Sequence, residues 1–223
     1  MPFMPQARTV RWIGIGMATL ISLLGTSARA KEEKIFVPPP AFHARAYPAH
    51  DEHDNERVTL GAAPYDLLPG SKASVFTVDY AAHGFLPLQL IVSNDGDRPV
   101  SLKDLKVVLV TRDKEKIQSA EEADILRRIS GRPQDQAKSP SPLPIPLPHK
   151  KKASPVQKAQ AEIESAQFNV LAVEPHKTQS GFFFFDVQGI SRPLDGAHLY
   201  IDGLRDSDGN PLFYFEIALQ PGR

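Results

Sequence analysis

The stretch HARAYPAHDEHDNE, residues 43–56, gathers His43, His50 and His53 with Asp51, Glu52 and Asp54. Imidazole and carboxylate together suit Zn²⁺, Ni²⁺ or Cu²⁺, and His50-x-x-His53 offers two ring nitrogens to one ion. The order is not that of a zincin: HDEH is one residue shorter than H-E-x-x-H, so that catalytic helix geometry is absent. The plainer reading of the same residues is a solvated acidic arm with incidental histidines.

Other chemistry-bearing patterns are weaker. DSDGN, Asp206 to Asn210, begins like a calcium loop. Such a loop needs Gly at its sixth position and Glu at its twelfth, where Pro211 and Ile217 stand. A tight hairpin explains it with fewer assumptions. PLPIPLPHKKK resembles a PxxP ligand with a basic flank, but an exported chain favours a spacer. No nucleophile elbow, Walker loop or dinucleotide fingerprint occurs, so an enzyme is the third choice and no cofactor is called for. His83, His176 and His198 are isolated and read as structural. Tyr200 and Tyr214 are expected on adjacent terminal strands, where they form a small stacking surface.

The elements that position these residues begin after an export signal. Arg8 and Arg11 precede the apolar run Trp12 to Leu24, and Ala28-x-Ala30 is a small-residue cleavage pattern. Thirteen apolar residues are short for a membrane span, though an uncleaved anchor is the competing reading. Removing 30 residues of 223 leaves 193, with no Cys, Met or Trp. The formal charge moves from zero to −3, because Arg8, Arg11 and Arg29 leave. That balance gives no footprint for nucleic acid. A soft copper(I) site and the usual iron–sulfur clusters are excluded by the absent thiolates and thioethers.

Residues 31–56 read as an extended arm, broken by Pro38 to Pro40 and dominated by charge. From Arg57 onward, short apolar runs alternate with turn residues. RVTLGA and SVFTVDYA are candidate strands, and Asn94 to Asp97 is expected to fold two strands into a hairpin. FNVLAVEPHKTQSGFFFFDV predicts two strands joined by a polar turn, and the chain closes with a pair around Asp208-Gly209-Asn210. Between them, residues 115–167 read as a helical insert. Its first helix has a capping box at Ser119 and Glu122 and a left-handed cap at Gly131. A Pro-rich disordered linker follows at about 132–153, then a helix capped by Ser154, Pro155 and Gln157. Without the insert, Arg57 to Arg223 leaves about 114 residues, near the ~100 of an immunoglobulin domain.

FLPLQLIVSNDGDRPVSLKDLKVVLVTRD, followed by VEPHKTQSGFFFFDV, resembles secreted bacterial immunoglobulin-like domains of uncharacterised function. Their pattern has an N-x-G hairpin and a strand that leaves a Pro-Gly turn and ends near F-D-V. Here Pro175-His176 replaces Pro-Gly. The resemblance implies a fold and an exported location, and carries no catalytic residue.

Phe182 to Phe185 put rings on both faces of a strand. Phe183 and Phe185 are assigned to a sandwich core, and so are Phe213, Phe215 and Ile217 of the last strand. The face with Phe182 and Phe184, ending at Asp186, is read as nearer solvent. Its expected cover is the insert, through Ile125, Leu126, Ile129, Ile163 and Phe168. If left bare it is an interface, with Phe182, Phe184, Tyr200 and Tyr214 as candidate residues. The resulting expectation is a mainly β, antiparallel immunoglobulin-like sandwich with a two-helix insertion, at residues 57–223. It would act in the periplasm or outside the cell as a non-catalytic binding or assembly module. Its partner would be another protein or a second copy, with neither nucleic acid nor a membrane span after cleavage. The alternative is a periplasmic divalent-metal-binding protein using His43, His50 and His53.

Overall fold

Val58, Leu60 and Ala62 are buried on one face of a strand, and Leu86, Leu88, Leu90 and Val92 repeat that alternation on the next. In this computed structural model the described residues are 36–65, 75–131 and 153–219. The expected signal segment 1–30 and nearly all of the expected linker 132–153 lie outside them. Among the described residues the order is β1 (Ala49–His53), β2 (Val58–Pro64), β3 (Phe85–Asn94), β4 (Val100–Ser101), β5 (Lys106–Val110) and β6 (Lys116–Gln118). Helices α1 (Glu122–Ser130) and α2 (Pro155–Ala166) follow, then β7 (Ala172–Val173), β8 (Lys177–Asp186), β9 (His198–Asp202) and β10 (Phe215–Ala218).

The protein is mainly β. One sheet has the order β1-β2-β3-β8, a second β10-β9-β5-β6, and β4 pairs with β7, all antiparallel. Leu60, Leu88 and Phe185 of the first sheet share one buried cluster with Leu109, Leu199 and Phe215 of the second. No described helix is long and apolar enough to cross a membrane.

The four phenylalanines divide between two cores. Phe185 lies in the cluster between the sheets, with Phe183 packed partly against it. Phe182 and Phe184, only 1% and 3% exposed, lie in a second cluster with Phe76, Tyr80, Ile125, Ile129 and Ile163. The second face is therefore covered by α1, α2 and residues 75–80, and Phe182 and Phe184 are not an exposed interface. It is buried as deeply as the first, contrary to the expectation that Asp186 marked a solvent side. Asp186 is satisfied instead by Arg128 of α1, whose guanidinium also lies 4.4 Å from the Phe85 ring centre. The rings of Phe76 and Phe182 meet edge to face at 5.0 Å. Each such pair contributes about 1 kcal/mol beyond its buried area. Phe168 packs on the other core, its ring 5.7 Å from Phe183.

Of the expected strand SVFTVDYA the described residues 75–81 alternate in burial but are not a strand. Their donors go to a buried carboxylate: Glu162 of α2 accepts from Thr77 N (2.7 Å), Val78 N (3.4 Å) and the Thr77 and Tyr80 hydroxyls. The hairpin expected at Asn94–Asp97 is a crossover, because both edges of β3 are already paired, with β2 and β8. Asn94 holds this turn: its amide donates to Arg98 O (2.8 Å) and Val173 O (3.0 Å), and its Oδ1 accepts from Gly96 N. The closing pair, β9 and β10, is a true hairpin with Phe215 opposite Ile201. Strand β7 pairs with β4 rather than with β8. At the turn between β7 and β8, His176 takes φ +56°, a left-handed conformation that glycine adopts at lower cost.

The insert begins with a strand, β6, and not with a helix. Ser119 bridges to Phe185, so α1 starts at Glu122 after an N-cap, Glu121, whose side chain makes no cap bond. Gly131 ends α1 with φ −81°, so the left-handed cap is absent. The capping box of α2 is present, with Ser154 N donating to Gln157 (2.9 Å) and Gln157 N to Ser154 Oγ (3.2 Å). The charged arm also joins the fold. β1 adds to β2 over five residues, and Ala44 is fully buried against Gly61.

Candidate functional site

A strand alternates its side chains, so an odd spacing sends two residues to opposite faces. His50 and His53 are three apart on β1, opposite Gly61 and Val58 respectively. His53 and Asp51 therefore turn toward the seam between the sheets, and His50 and Glu52 turn away. His53 stacks on Phe215 at 3.8 Å, with its Nδ1 2.8 Å from Glu56 and its Nε2 3.8 Å from Asp51. His50 Nδ1 lies 2.7 Å from the Tyr47 carbonyl oxygen. His43 precedes β1 and faces Asp95 at 3.0 Å, while its Nδ1 accepts from Arg45 N. The three histidines thus have three separate partners. Among the described residues no three His, Asp or Glu side chains are gathered to hold a metal ion.

What β1 does build is one wall of a groove of about 660 Å³. Asp51, Glu52, Asp54 and Glu56 line it from β1 and the following turn, and Phe213, Tyr214 and Glu216 close it from β10 and the residues before it. Phe213 is 76% exposed and Tyr214 50%. Alternation had placed Phe213 in the core beside Phe215. It is outside because the ladder to β9 begins only at Phe215, while Phe213 N turns to Glu56 Oε1 (3.4 Å). Tyr200 and Tyr214 are brought together as expected, their ring centres 5.0 Å apart and tilted 30°.

The groove walls are pinned by their own carboxylates. Asp51 accepts from Glu216 N at 2.9 Å, which also caps a donor on an edge strand. Arg45 forks onto Glu52, and this hydrogen bond holds the Glu52 carboxyl below its ordinary range. Glu216 faces His198 Nε2 at 3.3 Å. Among the described residues that line it there is no Lys or Arg. Phe213, Glu56 and Glu216 were not legible as site residues. Their only sequence signal was a run of acids in β1 and an aromatic pair after Pro211, and nothing in the sequence showed that these meet.

The calcium-like turn is occupied by its own chain. Asp206 accepts from the Asn210 amide (2.9 Å) and from Asn210 N and Asp208 N, which together lower its pKa.

No protein-family model matches the chain, and no curated protein does. Two solved structures align with it. One is the X-ray structure of Northeast Structural Genomics Consortium target SoR45, at 10% identity and TM-score 0.30, over 76% of this chain and 90% of that one. Another is a conserved hypothetical protein from Bacillus anthracis, at 12% identity and TM-score 0.24, over 57% of this chain and 64% of that one. At such scores neither likeness carries an argument.

Proposed function

We propose that this protein is an exported binding or assembly module, an immunoglobulin-like sandwich that docks a partner at the groove between β1 and the Phe213–Glu216 segment. The observation that carries this is the exposure of Phe213 and Tyr214 on a framework held by short contacts. Burying one large aromatic is worth about 1.5–3 kcal/mol, and a fixed ring is held ready to bind. Two four-stranded antiparallel sheets around a shared core support the sandwich. The basic start, apolar run and Ala28-x-Ala30 support export. A non-catalytic role agrees with a groove in which Asp51 accepts from Glu216 N and Glu56 contacts both His53 and Phe213 N, so these groups hold its walls together.

The test is a photo-crosslinking residue at Tyr214, with one at Leu171, 64% exposed and not a groove residue, as the control. Expressed in cells that export the chain, the Tyr214 probe should give a discrete adduct and the Leu171 probe none. Equal labelling at both positions, or none at Tyr214, would remove the groove as the docking surface.

A further inference from the structure

The groove also indicates the charge of its partner. The carboxylates of Asp51, Asp54, Glu56 and Glu216 line it, while Glu52 turns to Arg45 on the other face of β1, and His53 is the one basic side chain among the described lining residues. The neighbouring cation, Arg45, is already paired with Glu52. An aromatic face attracts a cation through its ring quadrupole, and surrounding carboxylates strengthen that attraction. Phe213 and Tyr214 supply such faces within the acidic rim. An anionic partner would be repelled by this acidic rim, and a purely apolar one would desolvate carboxylates that are only partly compensated by their own contacts.

We infer that the Phe213–Tyr214 groove docks a lysine- or arginine-bearing polypeptide segment, an inference that rests on the groove being the docking surface. A single metal ion fits poorly because the carboxylates diverge. Asp51 is turned to Glu216 N, Glu52 to Arg45, Glu56 to His53 and Phe213 N, and Glu216 to His198. Charges spaced along a strand and its turn match side-chain cations spaced along an extended chain. The aromatic faces then cover the aliphatic stems of those side chains.

The experiment is fluorescence anisotropy of a labelled peptide of alternating lysine and glycine against the purified chain. Saturable binding is expected that weakens steeply with added salt. Phe213→Ser/Tyr214→Ser and Asp54→Asn/Glu216→Gln should each weaken it by at least about tenfold, with unchanged circular dichroism. Both pairs are surface changes, so a folded variant is available in each arm. A glutamate–glycine peptide should not bind.

The inference falls if the lysine peptide does not saturate, or if both variants bind it as well as the unaltered chain. It falls also if spermine displaces the peptide at equal charge concentration, since the site would then take small cations. Sedimentation showing self-association through Phe213 would make a second copy the occupant and overturn it as well. A Tyr214 crosslink without lysine-peptide binding would leave the docking surface standing and remove only the cationic class. Failure of both would remove the surface itself.

Discussion

Glu162 shows how one residue can decide a local conformation. Its carboxylate, 3% exposed, takes the donors that would have made residues 75–80 a strand. Glu162→Ala should cost about 3 kcal/mol in chemical denaturation, because those buried donors lose a charged acceptor. Thr59 is the opposite case. Among the described residues its buried Oγ1 has no hydrogen-bond partner. Thr59→Val keeps the shape and removes that unpaired hydroxyl, so stability should rise by about 1 kcal/mol in the same assay. Tyr80 and Asp186 set opposite ends of the pH range. Burial, then the charge of Glu162, raises the Tyr80 pKa, so its contribution is present below about pH 10 and is lost as pH rises further. The Arg128 hydrogen bond lowers the Asp186 pKa, so its contribution is present above about pH 4 and is lost as pH falls. Denaturation across pH should show Tyr80→Phe flattening the alkaline limb and Asp186→Asn the acid limb. An unchanged profile in either variant would refute that assignment.

At the scale of elements, the outer edge of β8 is closed by the chain around it. Ala120 N donates to Phe184 O at 2.7 Å and Phe168 N to Phe182 O at 3.2 Å. The second approach needs Gly181, since a Cβ there would lie 2.4 Å from Phe168 Cα. Gly181→Ala should therefore destabilise by about 1–3 kcal/mol, read from the shift in denaturation midpoint. A neutral result would mean that the 167–168 segment can move away without loss. The second capping box, at Ser154, was legible because its bonds lie within four residues. Ser119 met the same rule and was recruited by β8 instead. Local pattern thus identified the elements better than their ends, which competing tertiary partners move.

At the scale of the molecule, helix-on-sheet layering hides Phe182 and Phe184, while the seam between β1 and β10 leaves Phe213 and Tyr214 outside. His50→Ala/His53→Ala should leave a zinc titration of the chain unaltered, because the two rings lie on opposite faces of β1. A stoichiometric site lost in that variant would restore the metal reading. Composition and alternation alone pointed to a mainly β chain, to the two helices found among the described residues, and to the division of the four phenylalanines between two faces. Those properties depend on residue type and on a period of two, which a sequence displays directly. Only the tertiary structure decided that the charged arm is an edge strand, that Asn94–Asp97 is a crossover, and that β1 and Tyr214 share a groove. Each depends on which distant segment reaches a free edge or buried donor first, and residue spacing does not record that competition.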